Sequence, residues 1–155
     1  MPTVVAPGAG IVPTFSHPAV PTVEVKLDGR AGAGFSLIEY VVPPGFAPPP
    51  VLHRHTRESA TGYVIDGHLT YWFDDGEAHD VGPGTVVHLP AGAWFRWANT
   101  TDEQVRLLFM FQPAGFEQFF LEPMAGIADA GGDPAAIGSL IHPLRTKYGD
   151  EQHPD

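Results

Sequence analysis

The chain has 155 residues, 43% of them hydrophobic and 17% charged, with 18 Asp and Glu against 8 Lys and Arg for a formal net charge of -10. That length suits one domain with a real core, and the acidic balance argues against nucleic acid or an anionic membrane as a partner. Cysteine is absent, which excludes a disulfide framework and thiolate chemistry. The start Met1-Pro2-Thr3-Val4 lacks the basic residues and apolar run of a secretion signal. Nowhere do about 18 apolar residues run together, so the expectation is a soluble cytoplasmic protein. The sequon Asn99-Thr100-Thr101 is idle on that reading.

In chain order, β-branched and aromatic runs bounded by Gly, Pro, Asp or Asn predict strands at 23–27, 35–42, 51–56, 61–66, 69–73, 85–89, 94–98 and 105–111. Asp74-Asp75-Gly76 and Pro90-Ala91-Gly92 read as hairpin turns. A short helix is expected over 115–121 and another over 134–147, the latter interrupted at Gly138 and Pro143. Residues 128–133 read as a linker, and the end from Gly149 as frayed. Many short strands with regular turns predict an all-β sandwich or barrel. Three parts are expected: an N-terminal arm and strand over 1–34, the barrel over 35–121, and a helix and tail over 122–155.

The chemistry concentrates at His53-Arg54-His55. Residues two apart on a strand share a face, so the two imidazoles stand on one wall. Pro43-Pro44-Gly45, His53-Arg54-His55 and the run Tyr63-Val64-Ile65-Asp66-Gly67 resemble the first motif of the cupins. Gly84, Pro90-Ala91-Gly92 and Asn99 resemble the second. The stretch 35–121 is similar to small single-domain cupins of the quercetin-dioxygenase-like group, and the tail Asp133 to Glu151 is similar to how those proteins end. The resemblance implies a double-stranded β-helix (jelly-roll) barrel, often a homodimer, with a small-molecule pocket inside and a short C-terminal helix.

Cupins that bind a metal take it from two histidines and a glutamate of the first motif and a histidine of the second. Here the glutamate position is Ala60 and the second-motif histidine position is Phe95, and neither side chain can coordinate. Glu58 is expected in the turn after His55. If residues 90–93 close a tight hairpin, 89 pairs with 94 and 88 with 95, so His88 shares the face of Phe95. That register predicts a relocated site of His53, His55 and His88 for Zn, Fe, Ni or Cu. A one-residue slip turns His88 to the other face, and the alternatives are a hydrogen-bonded core histidine and no metal at all.

The same parity turns Ala60, Gly62 and Val64 inward, making room beside the aromatic plate of Phe95 for a larger apolar or aromatic molecule. Glu39, charged within an apolar strand, is either a pocket acid or base with a raised pKa or the solvent-facing member of an alternating strand. Arg96 faces away from the site, with a salt bridge as its default role. Three functions follow: a metal-using enzyme of dioxygenase or cyclase type on an aromatic or polyketide-like molecule, a metal-free enzyme using His53 or His55 as acid and base, or a small-molecule binding module.

Overall fold

The computed structural model describes residues 2–12 and 17–154, so part of the expected N-terminal arm lies outside the described residues. Among the described residues, ten strands form two five-stranded antiparallel sheets. The first holds β1 (Thr22–Leu27), β2 (Ser36–Val42), β9 (Val105–Gln112), β4 (Ser59–Asp66) and β7 (Val86–Leu89), side by side in that order. The second holds β10 (Asp150–Gln152), β3 (His53–His55), β8 (Phe95–Ala98), β5 (Leu69–Phe73) and β6 (Ala78–Val81). From β3 to β9 the chain passes repeatedly between the sheets, which is the winding of a double-stranded β-helix.

The core lies between the sheets and follows the pleat. Along β9, Val105, Leu107, Phe109 and Phe111 are buried while Arg106 and Gln112 are exposed, the alternation of a strand with one buried face. At Gly67, with φ of 78°, an added Cβ would lie 2.5 Å from the Gln104 carbonyl oxygen, so the turn out of β4 requires glycine. Asn99 is buried, and its amide donates to the carbonyls of Pro43 (3.0 Å) and Glu103 (2.7 Å). The second motif is thereby tied to the first, and the sequon side chain is consumed inside the fold.

After the barrel come α1 (Glu117–Leu121), α2 (Met124–Ala130) and α3 (Pro134–Tyr148). Asp133 caps α3 by accepting from the Ala135 amide at 3.2 Å, with Pro134 at the first helical position.

The sequence expectation needs correction here. The helix runs through Pro143, because Pro143 and the Ser139 carbonyl it leaves unpaired lie on the exposed side. Residues 128–130 belong to α2, not to a linker, and β6 was not anticipated because Ala78-His79-Asp80 carries almost no strand signal. Nor is the tail frayed from Gly149: β10 pairs with β3, matching Asp150 with His55 and Gln152 with His53.

Candidate functional site

His53 and His55 share the inward face of β3, their ring centroids 5.9 Å apart. Arg54 between them points outward, where it stacks on Trp94 and bonds Glu151. Phe95 on β8 pairs directly with His53, its ring centroid 4.3 Å from that imidazole and 5.6 Å from His55. Phe111 and Phe116 enclose His55 further, at 5.8 and 4.3 Å. His55 is therefore buried, while His53 is half-buried.

These surroundings separate the two rings electrostatically. Burial pushes the His53 imidazolium down to about pH 3, and charge on His55 adds to the effect, so His53 is neutral near pH 7. A hydrogen bond to the backbone of Val51 opposes the shift only partly. His55 instead faces a carboxylate: Glu58 Oε1 lies 3.1 Å from its Nδ1. The two atoms are close but poorly aligned, so the contact is an ion-pair approach rather than a formed hydrogen bond. Glu58 is 6% exposed at its side chain. It sits in the turn after His55 as expected, and its part in the site went unread because the i,i+3 approach depends on how tightly that turn closes.

Ala60, Gly62 and Val64 all face inward with Phe95. The room they leave is taken from within the same sheet, a departure from the expected enlarged pocket. Phe111 is paired with Ala60 and Phe109 with Gly62, and a Cβ on Gly62 would meet the Phe109 ring at 3.2 Å. Small residues on β4 thus accommodate large ones on β9.

His88 is not with the other histidines. The turn at Pro90 forms, with the Ala93 amide bonded to the Pro90 carbonyl at 3.0 Å, but the strands it joins go to different sheets. β7 pairs with β4, so Leu89 faces Ala60 inside, and exposed His88 pairs with Thr61 on the outer face, 2.8 Å from its hydroxyl. The register expected from a tight hairpin is replaced by a crossover.

Glu39 is likewise on the outer face, where it accepts from Arg106 at 2.7 Å and lies 3.5 Å from Lys26. Arg106 holds its carboxyl below the ordinary range, opposite to the shift expected of a pocket acid. Arg96 faces outward too, stacked 3.8 Å over Trp72 in a cation–π contact in place of the expected salt bridge.

A metal held in the manner of metal-binding cupins does not fit these residues. Ala60 and Phe95, which the motif spacing sets at two of the four donor positions, carry carbon-only side chains, and the Phe95 ring stands against both imidazoles. Among the described residues, no group of three His, Cys, Asp or Glu converges as a donor set.

Residues 38–111 match the family model described as Cupin domain. The barrel has the cupin double-stranded β-helix fold. Solved structures resemble it at low sequence identity. The polyketide cyclase RemF from Streptomyces resistomycificus superposes with a TM-score of 0.60 at 23% identity, covering 72% of this chain and 80% of that one. KdgF from Halomonas sp. gives 0.62 at 14% identity, covering 76% and 99%. Pac13 from Streptomyces, a nucleoside dehydratase, gives 0.55 at 16%, covering 76% and 88%. No curated protein matches the chain. No helix among the described residues is long and apolar enough to cross a membrane.

Proposed function

We propose that this cupin is a small-molecule enzyme that uses acid–base chemistry, of cyclase, isomerase or dehydratase type, on a medium-sized aromatic or polyketide-like substrate. The observation that carries the reading is the inequality of the two histidines. His53 is a ring held neutral near pH 7, suited to hydrogen-bond and orient a substrate hydroxyl. His55 is backed by a buried carboxylate at 3.1 Å, which orients the ring and would offset positive charge placed on it during proton transfer. Paired groups with opposed environments are how one site supplies an acid and a base at one pH. The surrounding Phe95, Phe111 and Phe116 are buried and exclude water from the two imidazoles. The fold neighbours include a polyketide cyclase and a nucleoside dehydratase, which agrees with this class of chemistry.

A metal-assisted, oxygenase-like reaction at His53 and His55 needs further donors, and Ala60, Phe95 and the outward His88 supply none. The acid–base reading is tested by following hydroxylated bicyclic aromatics as NMR probes with the full chain. Binding that perturbs the His53 and His55 ring signals, and turnover of a cyclisable polyketide analogue lost in both His53→Ala and His55→Ala, is the expected result. Turnover that survives both substitutions overturns it. Binding without turnover of any probe identifies a binding module instead.

A further inference from the structure

Of the buried side-chain polar atoms left without a hydrogen bond among the described residues, three belong to one place: His55 Nδ1, Glu58 Oε1 and Asp150 Oδ1. Asp150 is the first residue of β10 and pairs directly with His55, so the two side chains share a face. Its other oxygen accepts from Arg145 on α3. The chain is steered there by Gly149, which ends α3 at φ of 73° with its own carbonyl accepting from the Thr56 amide at 2.9 Å. An added Cβ at Gly149 would lie 2.5 Å from the Thr56 hydroxyl. Backbone geometry therefore fixes where this carboxylate stands.

The charges in this enclosure do not balance without a proton. Glu58, Asp150 and Arg145 are 6%, 4% and 19% exposed at their side chains. Two carboxylates against one guanidinium leave a negative charge in a dry space, which is costly unless neutralised, and His55 lies 3.1 Å from Glu58 and is paired along the strands with Asp150. Burial raises the Asp150 carboxyl above its ordinary range while Arg145 and His55 pull it back. Asp150 also lines a groove of about 440 Å³, together with Thr56, Arg57, His142, Arg145 and Gln152. Asp150 is thus common to the groove and, as the pairing partner of His55, to the surroundings of that ring.

We infer that Asp150, brought in by the C-terminal strand, is a positioning residue for His55, holding the ring together with Glu58 and linking its proton to the outer groove. The inference rests on the acid–base reading for its use in a reaction, but not for its geometry. Long-range 1H–15N spectra of the uniformly labelled full chain read the His55 tautomer and the solvent exchange of its ring proton. The wild-type protein should show a single tautomer with a slowly exchanging ring proton. Asp150→Asn should change the tautomer ratio and the exchange rate by about tenfold, the scale on which a nearby buried charge acts on a titrating group. The His153 amide, bonded to the Leu52 carbonyl, should stay protected. Glu151→Gln, on the same strand but facing outward, should leave His55 as in the wild type.

Ring signals in Asp150→Asn identical to the wild type overturn the inference, as does an equal response in Glu151→Gln. Should Asp150→Asn release the strand, Arg145→Lys loosens the carboxylate without removing it, and His55 ring exchange should quicken. An unchanged rate there overturns the inference as well. None of these readouts needs turnover, so a failed activity test would sink the acid–base reading and leave this one standing.

Discussion

His53 and Phe95 are directly paired residues of neighbouring strands, and their rings stand 4.3 Å apart on the inner wall of the barrel. By the motif spacing, Phe95 falls at the position that the cupin resemblance assigns to the second-motif histidine. One substitution therefore separates the present arrangement from a three-imidazole wall.

Phe95→His is expected to raise the affinity for Zn2+ or Ni2+ by at least about tenfold over the wild type, since a third neutral imidazole completes a set with open positions. Calorimetric titration of protein lacking a histidine tag checks this. His88→Ala should leave metal affinity where it was, because His88 is on the outside against Thr61. An equal affinity in wild type and Phe95→His, or a loss on removing His88, would show that metal binds by another route.

The barrel and the His53–His55 wall were legible because both rest on period-two alternation and turn residues, which act over a few neighbours. His88 was misread for the opposite reason. Its orientation depends on whether the strands around Pro90 stay together, and β7 and β8 part to different sheets. Phe109 and Phe111 filling the space beside Gly62 and Ala60 is also a long-range pairing, between β4 and β9. Asp150 was out of reach for the same reason: its partner strand lies about ninety residues earlier, joined to it by long-range bonds such as the Thr56 amide to the Gly149 carbonyl.

The pairing of Gly62 with Phe109 predicts a packing penalty. An alanine methyl at 62 would sit 3.2 Å from the Phe109 ring edge, and Phe109 is itself stacked against Phe111 at 5.8 Å, with little room to yield. Gly62→Ala should cost about 1 kcal/mol, overpacking outweighing the entropy gained by losing a glycine from a strand. Phe109→Leu in the same chain should recover most of the loss. Urea unfolding of the four members of this cycle gives the coupling, and additive effects would contradict the contact.

Gly149 makes a larger demand. It combines a left-handed backbone with a Cβ position blocked by Thr56 and Arg57 at 2.5 and 3.1 Å. Gly149→Ala should destabilise the protein by roughly 2 kcal/mol, and the loss should concentrate at β10. Hydrogen exchange at the Thr56 and His153 amides, which bond Gly149 and Leu52 across the strand pair, should accelerate well ahead of the β9 amides. Uniform acceleration would mean that the tail does not fold as a separable edge.

Acid sensitivity follows from His53. Its folded-state value of about 3 lies below the ordinary 6.5, so between those values the unfolded chain binds the proton that the folded chain refuses. Stability therefore rises with pH across that window and is flat above about 6.5 with respect to this group. A neutral replacement, His53→Gln, removes the contribution. The wild-type stability relative to His53→Gln should thus fall by on the order of 1 kcal/mol from pH 7 to pH 5. Glu39 and Glu24, whose carboxyls are held low by Arg106 and Lys26 respectively, also weaken the fold in acid but do so equally in both proteins. The difference between the two unfolding curves isolates the imidazole, and a pH-independent difference would place His53 in a wetter site than its contact with Phe95 describes.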